Sequence, residues 1–398
     1  MYRHKNLVLS GAFLLCSANF LLAQGGPQSL KLQYSKGITI QHDSLFQMQV
    51  RFRMQERLGF TTMSGVDWST KTADMRVRRC RLRLEGFVLD KRLRYLFHLG
   101  FSKADLDLEA TTTTQVIRDA IVYYRPSGDL QIGLGQTKLP GNRQRVISSG
   151  DQQFPDLSIT NAAFNLDRDF GFFFTDTVRL GSQQLQVKGA WTTGDGRGAS
   201  PGTGGFAYTG RFDWLPLGAF TNGGDYYEGD LAMEPKPKVS IGGVYSWNDR
   251  AARTGGQLGN DLYSARSMST AIVDLLVKYR GWALSAEGFQ RQCSDPITHD
   301  LLNNTRFVLT GQGFNGQLSK YFKSKYEIAG RYSLVLPSDQ VSALSVRTEE
   351  TLLGATRYIN KHRVKLQTYI GYRWTLGDMA LDHPGNNWTT MFQIEFGI

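Results

Sequence analysis

The final eleven residues, Trp388 to Ile398, alternate in polarity without a break. Trp388, Thr390, Phe392, Ile394, Phe396 and Ile398 share one parity; Thr389, Met391, Gln393, Glu395 and Gly397 share the other. Successive side chains of a β-strand point to opposite faces. The segment is therefore predicted to be a strand with one apolar and one polar face. It is long enough to cross a bilayer if tilted, which takes about 9–11 residues. The same beat returns in Leu45–Phe60, Met75–Phe87, Arg92–Ser102, Phe206–Trp214, Ala271–Tyr279, Tyr326–Leu334 and Arg363–Trp374.

A soluble sandwich also alternates, so the connections decide. Short ones fall at Asp90-Lys91, Pro126-Ser127-Gly128, Arg280-Gly281 and Asn360-Lys361. Long ones fall at Thr61–Asp74, Pro140–Arg168, Gly194–Gly204, Asp249–Ser267, Cys293–Thr305, Pro337–Val346 and Thr375–Asn387. Short turns on one side, long loops on the other and an even count of about sixteen strands describe a transmembrane antiparallel β-barrel. At that size the lumen holds water. Trp191, Trp214, Trp247, Trp282, Trp374 and Trp388 are placed at strand ends, as aromatic girdles require. One connection breaks the pattern: Pro216–Pro237 is long where a short turn is due.

Met1 to Ala23 places Arg3 and Lys5 before an apolar run, Leu7 to Leu22, that ends on small Ala23. This reads as a cleavable secretory signal. Residues 24–43 are then an N-terminal periplasmic segment and 44–398 the barrel, in the outer membrane of a Gram-negative-type cell. Lipid and lipopolysaccharide are the expected surroundings. The chain carries a formal charge of +11. Export makes nucleic acid an improbable partner and leaves an acidic surface or an anionic solute. Cys80 and Cys293 are too far apart to suggest a disulfide framework or metal ligation, and no cofactor is expected.

The placement of the charge is the functional signal. In Met75–Phe87, Cys80, Leu82 and Leu84 share one face and Arg79, Arg81, Arg83 and Glu85 the other. With the apolar face against lipid, three arginines point inward. Arg51, Arg53 and Arg57 of the preceding strand do the same, about 5 Å away. Arg76 and Arg78 fall on the lipid parity near the outer end of their strand. Crowded guanidinium groups repel, so an anion or nearby carboxylates must offset them. Guanidinium binds carboxylate and phosphate through paired N–H groups. The longest outer connection, Pro140–Arg168, follows Lys138 and carries Arg143 and Arg145. Folded inward, it would bring both arginines toward the Arg79–Arg83 row; a surface lid fits the pattern equally well.

Four stretches in series resemble the phosphate-selective porins O and P. They are Arg78-Arg79-Cys80-Arg81-Leu82-Arg83-Leu84-Glu85-Gly86, Gly135-Gln136-Thr137-Lys138-Leu139-Pro140, Asn165-Leu166-Asp167-Arg168-Asp169-Phe170-Gly171 and Asn360-Lys361-His362-Arg363-Val364-Lys365-Leu366. The resemblance implies a homotrimer of sixteen-stranded barrels. It also implies a third loop folded into the lumen and basic residues that draw anions, phosphate among them, through the pore. The anion-binding, pore-lining candidates are Arg51, Arg53, Arg79, Arg81, Arg83, Lys138, Arg143 and Arg145.

Two rival classes remain. An outer-membrane enzyme needs a nucleophile with a positioned base. The histidines beyond the signal, His42, His98, His299, His362 and His383, are scattered without a partner motif. The second rival is a plugged or adhesive barrel whose outer loops bind a partner. Passive, anion-selective diffusion is the expected function.

Overall fold

The computed structural model describes residues 30–34, 37–106, 115–198 and 205–398. The predicted signal lies outside the described residues. Sixteen strands follow one another in chain order: β1 Phe46–Thr62, β2 Thr70–Val88, β3 Asp90–Gly100, β4 Ile117–Tyr124, β5 Gln131–Lys138, β6 Arg168–Leu180, β7 Gln183–Thr192 and β8 Ala207–Leu215. Then come β9 Lys238–Arg253, β10 Asp261–Tyr279, β11 Trp282–Cys293, β12 Gly311–Tyr321, β13 Tyr326–Pro337, β14 Thr348–Asn360, β15 Val364–Thr375 and β16 Asn387–Gly397. Every neighbouring pair is antiparallel.

Closure comes from the chain's last strand. β16 pairs with β1 from Thr389↔Thr61 to Gly397↔Arg53, so the sheet has no open edge there. In hydrocarbon every backbone N–H and C=O needs a protein partner, and a closed barrel supplies one. Among the described residues no helix is long and apolar enough to cross a membrane. Below the end of β16, Ile38–His42 pairs with Val50–Phe46 of β1 and continues the wall. Leu30–Tyr34 pairs in turn with that segment. Part of the expected periplasmic segment thus extends the sheet.

The outward face is apolar and exposed: Phe170, Phe172, Phe174, Trp191, Tyr208, Phe212, Trp247, Trp282, Phe392 and Ile394 all lie there. Trp191, Tyr208 and Trp247 stand at one level on three adjacent strands. The inward face is polar and buried: Gln55, Asn315, Ser333, Lys365, Gln393 and Glu395 are each almost inaccessible. This is a soluble protein turned inside out, with apolar surface and polar core.

One expectation is corrected. At Arg78 a β-bulge interrupts the β1–β2 register, between Arg79↔Gln55 and Val77↔Glu56. An extra residue inverts parity beyond it. Arg76 therefore sits opposite inward-facing Arg57, and Val77 and Met75 take the lipid face. Arg78 turns inward to Asp156 at 3.3 Å. Neither arginine meets the acyl chains.

Close pairing of β1 and β2 depends on Gly86. A Cβ there would lie 1.7 Å from the Gln47 carbonyl. Tyr95 stands opposite Gly86 across the β2–β3 register. Its hydroxyl donates to that same carbonyl at 3.3 Å. Gly86→Ala is expected to destabilise the barrel by about 1–3 kcal/mol, the usual cost of overpacking, read as a lower urea midpoint in detergent.

Candidate functional site: the charged lumen

The connection from β5 to β6, residues 139–167, lies inside the barrel. Its polar atoms are bonded to inward-facing side chains around most of the wall. Two short helical turns, Arg143–Val146 and Ile159–Ala163, shape it. The second starts where the Ser158 hydroxyl accepts from the Asn161 N–H at 3.1 Å. Leu139, Phe164 and Leu166 bury against Ile272, Phe289 and Val335. Phe154 packs on Ala329 and Leu352, under the Arg331 guanidinium. A buried loop has backbone carbonyls to satisfy, and long cationic side chains reach them. Lys138 donates to Val146 and Ile147, Lys365 to Gln152, and Arg331 to Asp156, at 2.7–3.3 Å.

The connection from β8 to β9 enters the lumen from the opposite end, where the short turns lie. Its 3-10 turn, Thr221–Tyr226, is followed by residues that meet the loop. The Glu228 N–H donates to the Asp151 carbonyl at 3.0 Å. The Glu228 carboxylate accepts from Gln144, Gln153 and Gln317 at 2.8–3.1 Å. Lys278 holds the Gly224 and Tyr227 carbonyls. Tyr227 stacks on His362, a residue of the β14–β15 turn, at 5.3 Å. Burial holds that imidazole well below its ordinary pKa. The connection that broke the short-turn pattern is thus a second inward segment, sited beneath the acidic half of the wall.

The predicted basic residues occupy three settings. Arg51 and Arg83 share the single carboxylate of Glu85, and each remains about a third exposed. Arg53 donates to the Ser148 and Ser149 hydroxyls at 3.1 and 2.8 Å, with Glu395 at 3.7 Å. Arg81 is buried against Asp105, which also pairs with Arg118. Arg79 is buried and donates to Gln55 and the Pro155 carbonyl, with no carboxylate in ion-pair range among the described residues. Arg145 pairs with Asp167.

Arg143 departs from expectation. It turns away from the Arg79–Arg83 row to the opposite wall, where its Nε reaches Asp274 at 2.5 Å and Nη2 reaches Asp213 at 3.1 Å. Two buried carboxylates on β8 and β10 attract it, and Arg211 shares both. Nothing local to the loop encodes that preference.

Three further arginines, Arg57, Arg78 and Arg94, complete the basic wall. Arg57 pairs with Asp74 at 2.9 Å and shares Asp156 with Arg78 at 2.7 Å. Burial alone would raise Asp156, but Arg57 and Arg78 overcome it and hold the carboxyl well below the usual range. Arg94, next along β3, is half-buried with no carboxylate in ion-pair range among the described residues. On this wall carboxylates are shared between guanidinium groups, so positive charge is left over. Asp151, on the loop, is opposite in kind. Burial pushes its carboxyl up to about 6 against the pull of Arg53 and Lys365. His98, on the inward face of β3, bonds Asp119 at 2.8 Å.

A closed sixteen-strand barrel with an apolar exterior, an infolded loop and a charged lumen is an outer-membrane β-barrel of the porin type. The family described as phosphate-selective porin O and P matches residues 46–220, the family its motifs resemble, although Asn360–Leu366 lies beyond that stretch. Three solved structures share the fold. Vibrio cholerae OmpT, an outer membrane protein in its trimer form, aligns at TM-score 0.54 and 9% identity over 88% of this chain and 99% of that one. An anion-selective porin from Comamonas acidovorans aligns at 0.54 and 13%, over 88% and 99%. Salmonella typhi OmpF in complex with daunomycin aligns at 0.55 and 12%, over 92% and 100%. No curated protein matches by sequence.

Arg143→Met would leave two buried carboxylates to Arg211 and Lys188. Breaking a buried pair costs about 3 kcal/mol at the low end. The expected outcome is a fall of that size in urea stability, with new protease cleavage within residues 139–167.

Proposed function

We propose that the chain is a passive, anion-selective diffusion porin. The observation that carries this reading is the opposed pair Arg51 and Arg83, with Arg94 nearer the short-turn end on the next strand. These are three partly exposed guanidinium groups on adjacent strands with Glu85 between the first two. The infolded loop and the β8–β9 connection meet at Asp151 and Glu228, close to Arg51 and Arg53, and Arg51 and Arg83 keep about a third of their side-chain surface open. Rings of Arg and Lys select anions, and conduction needs binding weak enough to release. A guanidinium already half-neutralised by a shared carboxylate meets both demands. Phosphate is the candidate solute by family resemblance.

We take the assembly to be a homotrimer, as the Vibrio cholerae neighbour's trimer form suggests. Glu56 supports this. It is exposed on the outward face of β1, opposite Ile394 and Val77, beside Leu58. A carboxylate facing acyl chains is costly, and a neighbouring copy would cover it.

The plugged-barrel reading keeps one specific support, the junction of Glu228 with Asp151. Planar-bilayer recording separates the two. A pore gives anion-selective steps, and the double variant Arg51→Glu, Arg83→Glu abolishes or reverses the preference. Block of chloride current by phosphate at low concentration would mark phosphate as favoured. A cation-selective wild type rejects the anion reading, and absence of steps favours the plug.

A pH series adds a signed test. The Asp151 carboxyl is charged above about pH 6 and neutral below it. Anion preference should therefore rise as pH falls from 7 to 5. Asp151→Asn should hold the higher value across that range.

A further inference from the structure

A cavity of about 400 Å³ opens at the outer mouth, between Ala162–Asn165 at the end of the infolded loop, the β9–β10 connection and residues 305–309. Its charged lining residues are Arg291 and Arg306, and among the described residues no carboxylate lines it. At about 30 Å³ of liquid per water, the space equals roughly a dozen waters, far more than one inorganic phosphate needs.

Arg291 is 2% exposed. Its guanidinium donates to the Thr270 hydroxyl at 2.9 Å and to the Ala163 and Asn165 carbonyls at 3.3 and 3.2 Å, and lies over the Phe164 ring. All these partners are neutral, unlike the carboxylates that hold Arg143, Arg168 and Arg211. A buried charge without a counter-charge is unfavourable. A guanidinium carries five N–H donors, and three contacts leave two for a ligand. Asn165 is also buried, and its side-chain carbonyl has no hydrogen-bond partner among the described residues. Leu258, Phe307 and Leu309 supply apolar wall.

We propose that this cavity is a capture site for a small organic anion. Its carboxylate or phosphate would meet Arg291, a hydroxyl or amide donor would meet Asn165, and an apolar body would fill the remainder. The site stands on the outer side of the infolded loop, so solute would reach it before the arginine wall. The inference deepens the anion-pore reading and rests on it for its purpose, though not for its binding chemistry.

Calorimetry on the full-length protein in detergent tests it, with 4-hydroxyphenylacetate as the probe and 4-hydroxyphenylacetamide as its neutral counterpart. The acid should bind at least tenfold more tightly than the amide. Arg291→Met should weaken the acid at least tenfold. Ala162→Trp, at an exposed position, should block binding by filling the cavity while both arginines remain. It decides the matter if Arg291→Met fails to fold. No binding by wild type, equal binding of acid and amide, or wild-type affinity in Ala162→Trp would overturn the site. A cation-selective wild type that still binds the acid would overturn the pore reading and leave the site standing.

Discussion

The pairing of β16 with β1 is the constraint on which the rest depends. A membrane offers no water to an unpaired backbone group, so the first and last strands must find each other. Once they do, alternation has only one solution. Apolar parity faces lipid, and everything polar is driven into the lumen. The interior is then stabilised by hydrogen bonds and ion pairs rather than by apolar burial. Gln55, Lys365, Gln393 and Glu395 form such a patch beside the seam. Gln55 donates to Glu395 at 2.8 Å, and Gln393 to Gln367 at 3.0 Å.

A polar interior also lets a loop fold inward cheaply. Residues 139–167 would be costly inside a soluble apolar core, because each carbonyl would lose its water. Here the wall returns what is lost, since Lys138, Lys365, Arg331 and Gln367 all donate to loop carbonyls. Part of the lumen's positive charge is therefore structural. It ties the loop down. The division between tied and open charge runs along β1 and β2. Arg79 and Arg81 are buried under the loop, whereas Arg51 and Arg83 lie partly open below it.

Strand parity was legible in the sequence because a two-residue beat survives any tertiary context in which one face is lipid. The inward direction of Arg79, Arg81 and Arg83 followed from it. The reversal at Arg78 did not, because a single extra residue leaves the composition of either face almost unchanged. The partners of the arginines were equally hidden. Asp105, Asp156 and Asp213 come from three separate segments, and their meeting depends on the barrel's curvature. The Pro216–Pro237 connection was visible as an irregularity in length. Its path into the lumen rests on Glu228 meeting Gln317 of β12 and on Lys278 of β10 reaching the Gly224 carbonyl.

Shared carboxylates also bear on how tightly the wall could hold a solute. An isolated buried guanidinium pair would bind a dianion strongly and release it slowly. With Glu85 between Arg51 and Arg83, an arriving anion competes with a resident one already in contact with both. The solute gains only the difference between its own pairing and the one it displaces. In the anion-pore reading such exchange would keep each step shallow, and Arg51 and Arg83, directly opposed on neighbouring strands, would allow one partner to be taken before the other is lost. Arg94, with no carboxylate in ion-pair range among the described residues, would be the deepest of these positions and so the one where residence is longest.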